Sequence, residues 1–352
     1  MFYQTKLQIE QKGKSFGLNN LLFFVINISL TILFLVAFDM KAEGVIAAMA
    51  ATNALFFFVS LAKYVPTIKL GIDKEILKES FRYALPIIPY NLASISASLL
   101  DRLFLNGMRS TAETGLYSVG AQFANVISVV AVAIGQAFSP WFYSRVRDGE
   151  KRQIVMVTKS IVYIYSLLAY LISWGMPIFM DLLMNRVYSD SSSVAPFLCS
   201  GAAVYGIYIL LCNNLFLEKT RYLPLITFFG SSISVALNVI LIPSMGILGA
   251  SISNLSYNWF VTLFLVFVAE RVEPIGHEKL KLFAPMLLSL LCSVAHSWLL
   301  AIDRMLAALS GIAILIALAG GLFLIDKQAF IEGGAFLRNA IGARMPLQKG
   351  RG

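Results

Sequence analysis

Charge is what this chain has least of: Asp, Glu, Lys and Arg together make up 13% of it, against 58% hydrophobic residues. Soluble domains carry about 25% charged residues, so a water-exposed globule is excluded at the outset. Histidine occurs twice, as His277 and His296, and neither stands at ligand spacing from a cysteine or carboxylate, which argues against a metal centre. The three cysteines, Cys199, Cys212 and Cys292, all fall inside apolar runs without paired spacing, so neither a disulfide framework nor a zinc knuckle is expected. There is no Gly-x-x-x-x-Gly-Lys-Ser/Thr loop for ATP and no Gly-x-Ser-x-Gly nucleophile turn. No polar stretch is long enough to house a soluble active site. The chain is therefore read as a non-enzyme that needs no cofactor. A cleavable signal peptide is missing too: residues 1–17 are polar, and the first apolar run has the length of a membrane span.

What the chain does have is long apolar runs. Ten are found, near 18–38, 44–63, 82–106, 115–138, 157–180, 195–217, 222–242, 248–269, 280–301 and 304–325. Each is close to the ~20 residues that a helix needs to cross hydrocarbon. A backbone this apolar must satisfy its hydrogen bonds within helices, and continuous runs are unlike the short alternating segments of a β-barrel. The fold class expected is all-α, a polytopic transmembrane bundle of about ten spans.

Of the 28 Lys and Arg residues, 23 fall on alternate connections: the N-terminal tail, 63–82, 145–159, 219–221, 271–281 and the C-terminal tail. The opposite side keeps Lys41, Arg102, Arg109, Arg186 and Arg304. By the positive-inside rule both termini are expected in the cytoplasm. The net charge of +9 is spread over short connections rather than gathered on one basic face. Nucleic acid is therefore not an expected partner, and contact with anionic lipid headgroups accounts for the charge.

Two helix pairs resemble each other. Gln11 to Lys14, then Asn27, Thr31 and Glu43-Gly44, run parallel to Glu218 to Arg221, then Ser234, Asn238 and Leu248-Gly249, with Asn53 matching Asn258. Repeats of this kind point to two lobes facing each other across a central cavity, although chance similarity between apolar helix pairs is the bland alternative. If both pairs end a lobe, 82–269 is a complete six-helix lobe and residues 1–65 are the last pair of the other, joined by a linker at 66–81. A further pair then lies at 280–325 and a basic tail at 326–352. On this reading the chain lacks about four helices at its amino end.

Polar residues recur at helical spacing inside three spans: Asn91, Ser94, Ser98 and Asp101; Thr227, Ser231, Ser234 and Asn238; Ser251, Asn254 and Asn258. Such rows line a wet path or serve as interhelical hydrogen bonds and close contacts. Three rows together favour a cavity. Gln122, Asn125, Asn213 and Asn214 are further candidates. Asp101 and Arg102 lie about 30 Å along the helix from Phe81, toward the outer end. A salt bridge holding an outer gate and direct contact with substrate are equally open for this pair. Arg102 offers a guanidinium fork for a diphosphate or acidic sugar. Pro86 and Pro89 remove backbone donors near the opposite end of that helix, either as a hinge or as a static bend. Tyr117, Tyr163, Tyr165 and Tyr170 are candidates for stacking on sugars, with an interfacial aromatic belt as the alternative.

The segment Ser80-Phe-Arg-Tyr-Ala-Leu-Pro-Ile-Ile-Pro-Tyr-Asn91, followed by Leu100-Asp-Arg-Leu-Phe-Leu-Asn106 and Gly115-Leu-Tyr-Ser-Val119, resembles the polysaccharide or O-antigen flippases often called Wzx. These belong to the multidrug/oligosaccharidyl-lipid/polysaccharide exporter superfamily, which includes multidrug exporters and the lipid II flippase. The resemblance implies a two-lobe architecture with, here, a truncated first lobe. It also implies export of an undecaprenyl-diphosphate-linked oligosaccharide across the bacterial inner membrane by alternating access. The partners implied are that lipid-linked glycan, membrane lipids, and the glycan polymerase and chain-length machinery. The family has twelve to fourteen spans, so a ten-span chain departs from it. The rival readings are an ion-coupled small-molecule exporter of the same fold, a membrane glycan polymerase or ligase, and a non-transporting assembly partner. An enzyme of the polymerase kind would need a long outer loop, and 101–114 and 181–194 are short.

Overall fold

The computed structural model describes residues 13–64, 74–184, 186–216, 222–302 and 304–328, together with 331, 334 and 335. Among them every regular element is helical: α1 Gly13–Ile32, α2 Lys41–Tyr64, α3 Lys74–Met108, α4 Thr111–Arg147, α5 Lys151–Leu183, α6 Ala195–Phe216, α7 Tyr222–Met245, α8 Ile247–Val272, α9 Lys279–Ile302 and α10 Arg304–Ile325. A π-helical turn, Leu33–Ala37, extends α1, and a 3-10 segment, Arg186–Val194, leads into α6. Each of the ten apolar runs falls on one of these helices. Eight helical segments of the described residues are long and apolar enough to cross a membrane, and a shorter apolar stretch, Leu309–Leu324, lies in α10. The chain is an all-α polytopic membrane protein.

Several helices outrun their apolar cores. α4 has 37 residues and α5 has 33, about 55 and 50 Å at ~1.5 Å per residue, against a hydrocarbon layer of about 30 Å. The surplus turns carry charge, as with Arg145 and Arg147 in the last turn of α4, where cations also complement the helix dipole. The start of α4 is set by Ser110, which is in extended conformation and accepts a hydrogen bond from the Glu113 backbone N–H at 3.1 Å. That is the cap expected where Ser stands three residues before Glu. The α3 backbone stays helical through Pro86 and Pro89. The side chains of Pro86, Pro89, Asn91, Ser94 and Ser98 lie outside the described residues.

The chain divides into two compact units, Met1–Glu79 and Ser80–Gly352. In the first, α1 and α2 form a hairpin joined by Asn27 Nδ2 donating to Thr52 Oγ1 at 3.3 Å and by an edge-to-face contact of Phe23 with Phe56. Leu18, Leu21, Phe24, Ile46, Phe57 and Phe58 are exposed within this unit. The second unit is built around α6, which packs against α4, α5, α8 and α9. Its core runs through Ile127, Phe138, Ile161, Tyr165, Ile207, Leu211, Ile226 and Leu265.

Polar contacts tie the connections of this unit together at its two ends. At one end Lys151 Nζ reaches Glu273 at 2.7 Å and the Pro274 carbonyl at 3.0 Å, and Lys159 Nζ reaches Glu278 at 2.7 Å. Here too the carboxylate of Glu270 accepts from the backbone N–H groups of Gly276 and His277, both at 3.0 Å. At the other end Arg109 holds Glu113 and donates to the Pro243 carbonyl at 3.3 Å. The Lys- and Arg-rich connections at 145–159 and 271–281 thus share one end.

Candidate functional site

Asp101 sits near the end of α3 with none of its surface exposed. Three helices supply its partners. Oδ1 accepts from Asn238 Nδ2 of α7 at 2.8 Å, while Oδ2 accepts from the Tyr117 hydroxyl of α4 at 2.8 Å and from Asn254 Nδ2 of α8 at 3.0 Å. All three neighbours donate, which suits a carboxylate acting only as an acceptor. A buried carboxylate is costly in a membrane unless its hydrogen-bonding capacity is met, and these donors meet it with no countercharge at hydrogen-bonding distance among the described residues.

The donors are themselves held in place. Asn258, one turn along α8, gives its Nδ2 to Asn254 Oδ1 at 3.1 Å and to the Asn254 carbonyl at 2.9 Å. With its oxygen so engaged, the Asn254 amide turns its NH2 toward Asp101. α6 leaves room for this pair at Gly201, where a Cβ would stand 3.3 Å from both Asn254 Oδ1 and Asn258 Nδ2. One acceptor remains unused: Asn238 Oδ1 is buried with no hydrogen-bond partner.

Arg102, the next residue, points elsewhere, since successive side chains diverge by about 100° on a helix. It is partly exposed, and its Nε is buried without a partner. The structure therefore separates the two members of the expected pair: Asp101 is turned into the bundle, and Arg102 lies on its flank.

Several members of the polar rows are buried in this structure, whereas Ser231, Asn254 and Asn258 remain partly exposed. Asp101 and Asn238 line no opening, because both are fully buried in the cluster just described. Thr227, Ser234 and Ser251 are buried as well, with Thr227 Oγ1 donating to the Leu223 carbonyl at 2.6 Å and Ser251 Oγ to the Leu248 carbonyl at 2.8 Å. α7 and α8 pack closely against each other. Small polar residues at helical spacing permit close helix approach just as readily as they line water. Asn213 and Asn214 are also buried, the former donating to the Leu210 carbonyl at 2.9 Å. Tyr117 serves as a hydrogen-bond donor to Asp101. Tyr163, Tyr165 and Tyr170 are buried and are not available for stacking on a sugar in this conformation.

The opposite holds for α4. Its inner face, Tyr117, Gly120, Ala124, Ile127, Ala131, Gly135 and Phe138, is buried. Gln122 and Asn125 stand exposed on the other face, bonded to each other at 3.4 Å, and Gln136 is exposed further along that side. Exposed amides in the middle of a membrane-crossing helix are poorly matched to hydrocarbon, which offers no hydrogen bonds. Gln136 was not singled out from the sequence. Its register with Gln122, Asn125 and Val129, at +3, +4 and +7, was the available signal.

A cavity of about 240 Å³ opens elsewhere, between Pro177, Met180, Asp181, Ser189, Asp190, Ser192 and Leu300. Among the described residues there is no group of three or more His, Cys, Asp or Glu side chains able to hold a metal ion.

No protein-family model matches the chain, and no solved structure matches it. Curated relatives do. Lsg locus putative protein 1 of Haemophilus influenzae is 27% identical over 192 residues, 51% of this chain and 47% of that protein. The uncharacterized membrane protein MJ1068 of Methanocaldococcus jannaschii is 21% identical over 213 residues, 58% of this chain and 41% of that protein. The probable multidrug resistance protein NorM of Pasteurella multocida is 24% identical over 228 residues, 60% of this chain and 47% of that protein. The chain thus spans less than half the length of each of these three relatives.

Proposed function

We propose that this protein is a membrane transporter working by alternating access, with no catalytic chemistry of its own. The observation that carries the reading is the exposed amide face of α4, Gln122, Asn125 and Gln136, on a helix whose other face is packed. Such a face calls for water or cargo rather than lipid tails. The similarity to a probable multidrug resistance protein over 60% of this chain supports the same class.

For the cargo, the Leu-Asp-Arg and Gly-Leu-Tyr-Ser segments favour an undecaprenyl-diphosphate-linked oligosaccharide, moved across a bacterial inner membrane with both termini in the cytoplasm. In that role Arg102 meets the diphosphate or an acidic sugar, and the α4 amides meet sugar hydroxyls. The Asp101 cluster acts as an internal clasp among α3, α4, α7 and α8. Pro86 and Pro89 are the candidate hinge of α3. An ion-coupled exporter of small molecules is the second reading, favoured by the name of the Pasteurella relative.

One experiment separates the two. A strain deleted for the gene, with no redundant exporter, is expected to accumulate lipid-linked repeat units on the cytoplasmic face and to lose surface glycan. Normal surface glycan together with raised drug sensitivity would establish the second reading instead. Loss of neither function would remove both.

A further inference from the structure

Lys159, near the start of α5, is a lysine with 4% of its surface exposed. Its Nζ lies 2.7 Å from Glu278 Oε1 on the connection before α9 and 3.7 Å from Asp326 Oδ2 just beyond α10. Glu278 is half exposed and also holds Lys281 at 2.8 Å. An ammonium this deeply buried needs a partner, and both carboxylates come from segments flanking the C-terminal helix pair.

The contact continues along the helices. Tyr163, Leu167, Tyr170 and Trp174 follow at +4, +3 and +4 on one face of α5 and pack against Ile314, Leu315, Leu318 and Leu322 of α10. Tyr170 donates to the Gly311 carbonyl at 3.3 Å, and Ser289 of α9 donates to the Ser166 carbonyl at 2.7 Å. At Gly311 the α10 backbone lies so close to the Trp174 indole that a Cβ would collide with it. Lys159 meets the segment after α10 at one end of an antiparallel seam, and Trp174 meets Gly311 toward the other.

We propose that Lys159, Glu278 and Asp326 form an ionic clamp that locks the α9–α10 pair to α5, so that the pair moves with the helices around α6 as one body. The clamp follows from the packing of this unit and holds whatever the protein carries. It also means that any opening motion runs along another face, since parting the α9–α10 pair from α5 would take both carboxylates away from Lys159.

The test uses the full chain in lipid nanodiscs and reads two quantities: the rate of protease nicking within 273–278 and the thermal midpoint. Lys159→Glu is expected to raise nicking about tenfold and to lower the midpoint. Combining it with Glu278→Lys is expected to recover at least half of both effects. Nicking at the wild-type rate in Lys159→Glu, or no recovery in the exchanged pair, would overturn the clamp. If Lys159→Glu does not accumulate, Glu278→Gln with Asp326→Asn removes both negative charges and leaves Lys159 in place. Increased nicking there supports the clamp, and wild-type nicking overturns it.

Discussion

The α1–α2 hairpin carries Asn27, Thr31 and Asn53 where α7–α8 carries Ser234, Asn238 and Asn258, yet the two use these residues differently. In the first, Thr31 and Asn53 return their donors to their own helix, at the carbonyls of Asn27 and Met49, and Asn27 reaches across to Thr52. In the second, Asn238 and Asn254 reach across to Asp101 on α3, and Asn258 holds Asn254. The difference lies in the surroundings rather than in the residue types. α7–α8 stands beside a buried carboxylate and a glycine on α6 that leaves room for two amides. Within their own unit α1 and α2 leave most of their apolar surface exposed. An amide on a membrane helix bonds to whatever acceptor is near, and only a packed neighbour offers one outside its own helix.

The sharpest way to break this contrast is to remove its cause. Asp101→Ala strands two buried donors, Tyr117 and Asn238, and the partly buried Asn254, and at roughly 1–3 kcal/mol for each unmet buried group the loss is expected to be about 3 kcal/mol. Thr52→Val in the other hairpin removes one interhelical bond and is expected to cost about 0.6 kcal/mol. Thermal unfolding of both variants in the same detergent checks the ratio, and equal losses would erase the distinction between the hairpins. Next in size is Gly201→Val. The added side chain overpacks α6 against Asn254 and Asn258 and is expected to cost about 1–3 kcal/mol, measured in the same way.

Smaller in stability, but decisive for function, is the α4 face. Replacing Gln122, Asn125 and Gln136 together by Leu is expected to leave the unfolding free energy within about 0.5 kcal/mol of wild type, because none is buried. Export of the cargo is expected to fall at least tenfold. Unchanged export would show that this face looks onto lipid.

The smallest effect is the pH dependence at Glu278. Hydrogen bonds from Lys159 and then Lys281 hold its carboxyl down to about 2, from an ordinary 4.5. Since the folded value is the lower one, this contribution is fully present above pH 4.5 and fades as pH falls through about 2. The midpoint advantage of wild type over Glu278→Gln is expected to stay constant from pH 7 to 5 and to shrink below 4.5, with Asp326 beside Lys159 and Lys281 on the exposed side. An advantage that persists unchanged to pH 2.5 would mean that the charge on Glu278 is not what matters.

The helices were largely readable from the sequence, because a membrane demands long apolar runs and little else satisfies the backbone there. Their ends were not: the run at 82–106 became Lys74–Met108, and that at 115–138 became Thr111–Arg147. Hydropathy marks the hydrocarbon crossing, whereas a helix continues until a cap or turn stops it. At the site, spacing picked out Asp101, Asn238, Asn254 and Asn258 and favoured a cavity, but it could not show that Asn238 and Asn254 close on Asp101.

By itself, then, the order of residues determined that this chain crosses a membrane many times, where the crossings fall and which of them carry polar faces, since these depend on local apolarity and helical period alone. Tertiary packing alone decided that Asn238 and Asn254 close upon Asp101, that Arg102 stays outside that cluster, and that Lys159 finds its partners more than a hundred residues away. Those outcomes rest on which helices become neighbours and how close a glycine lets them come, and neither is encoded in any single stretch of chain.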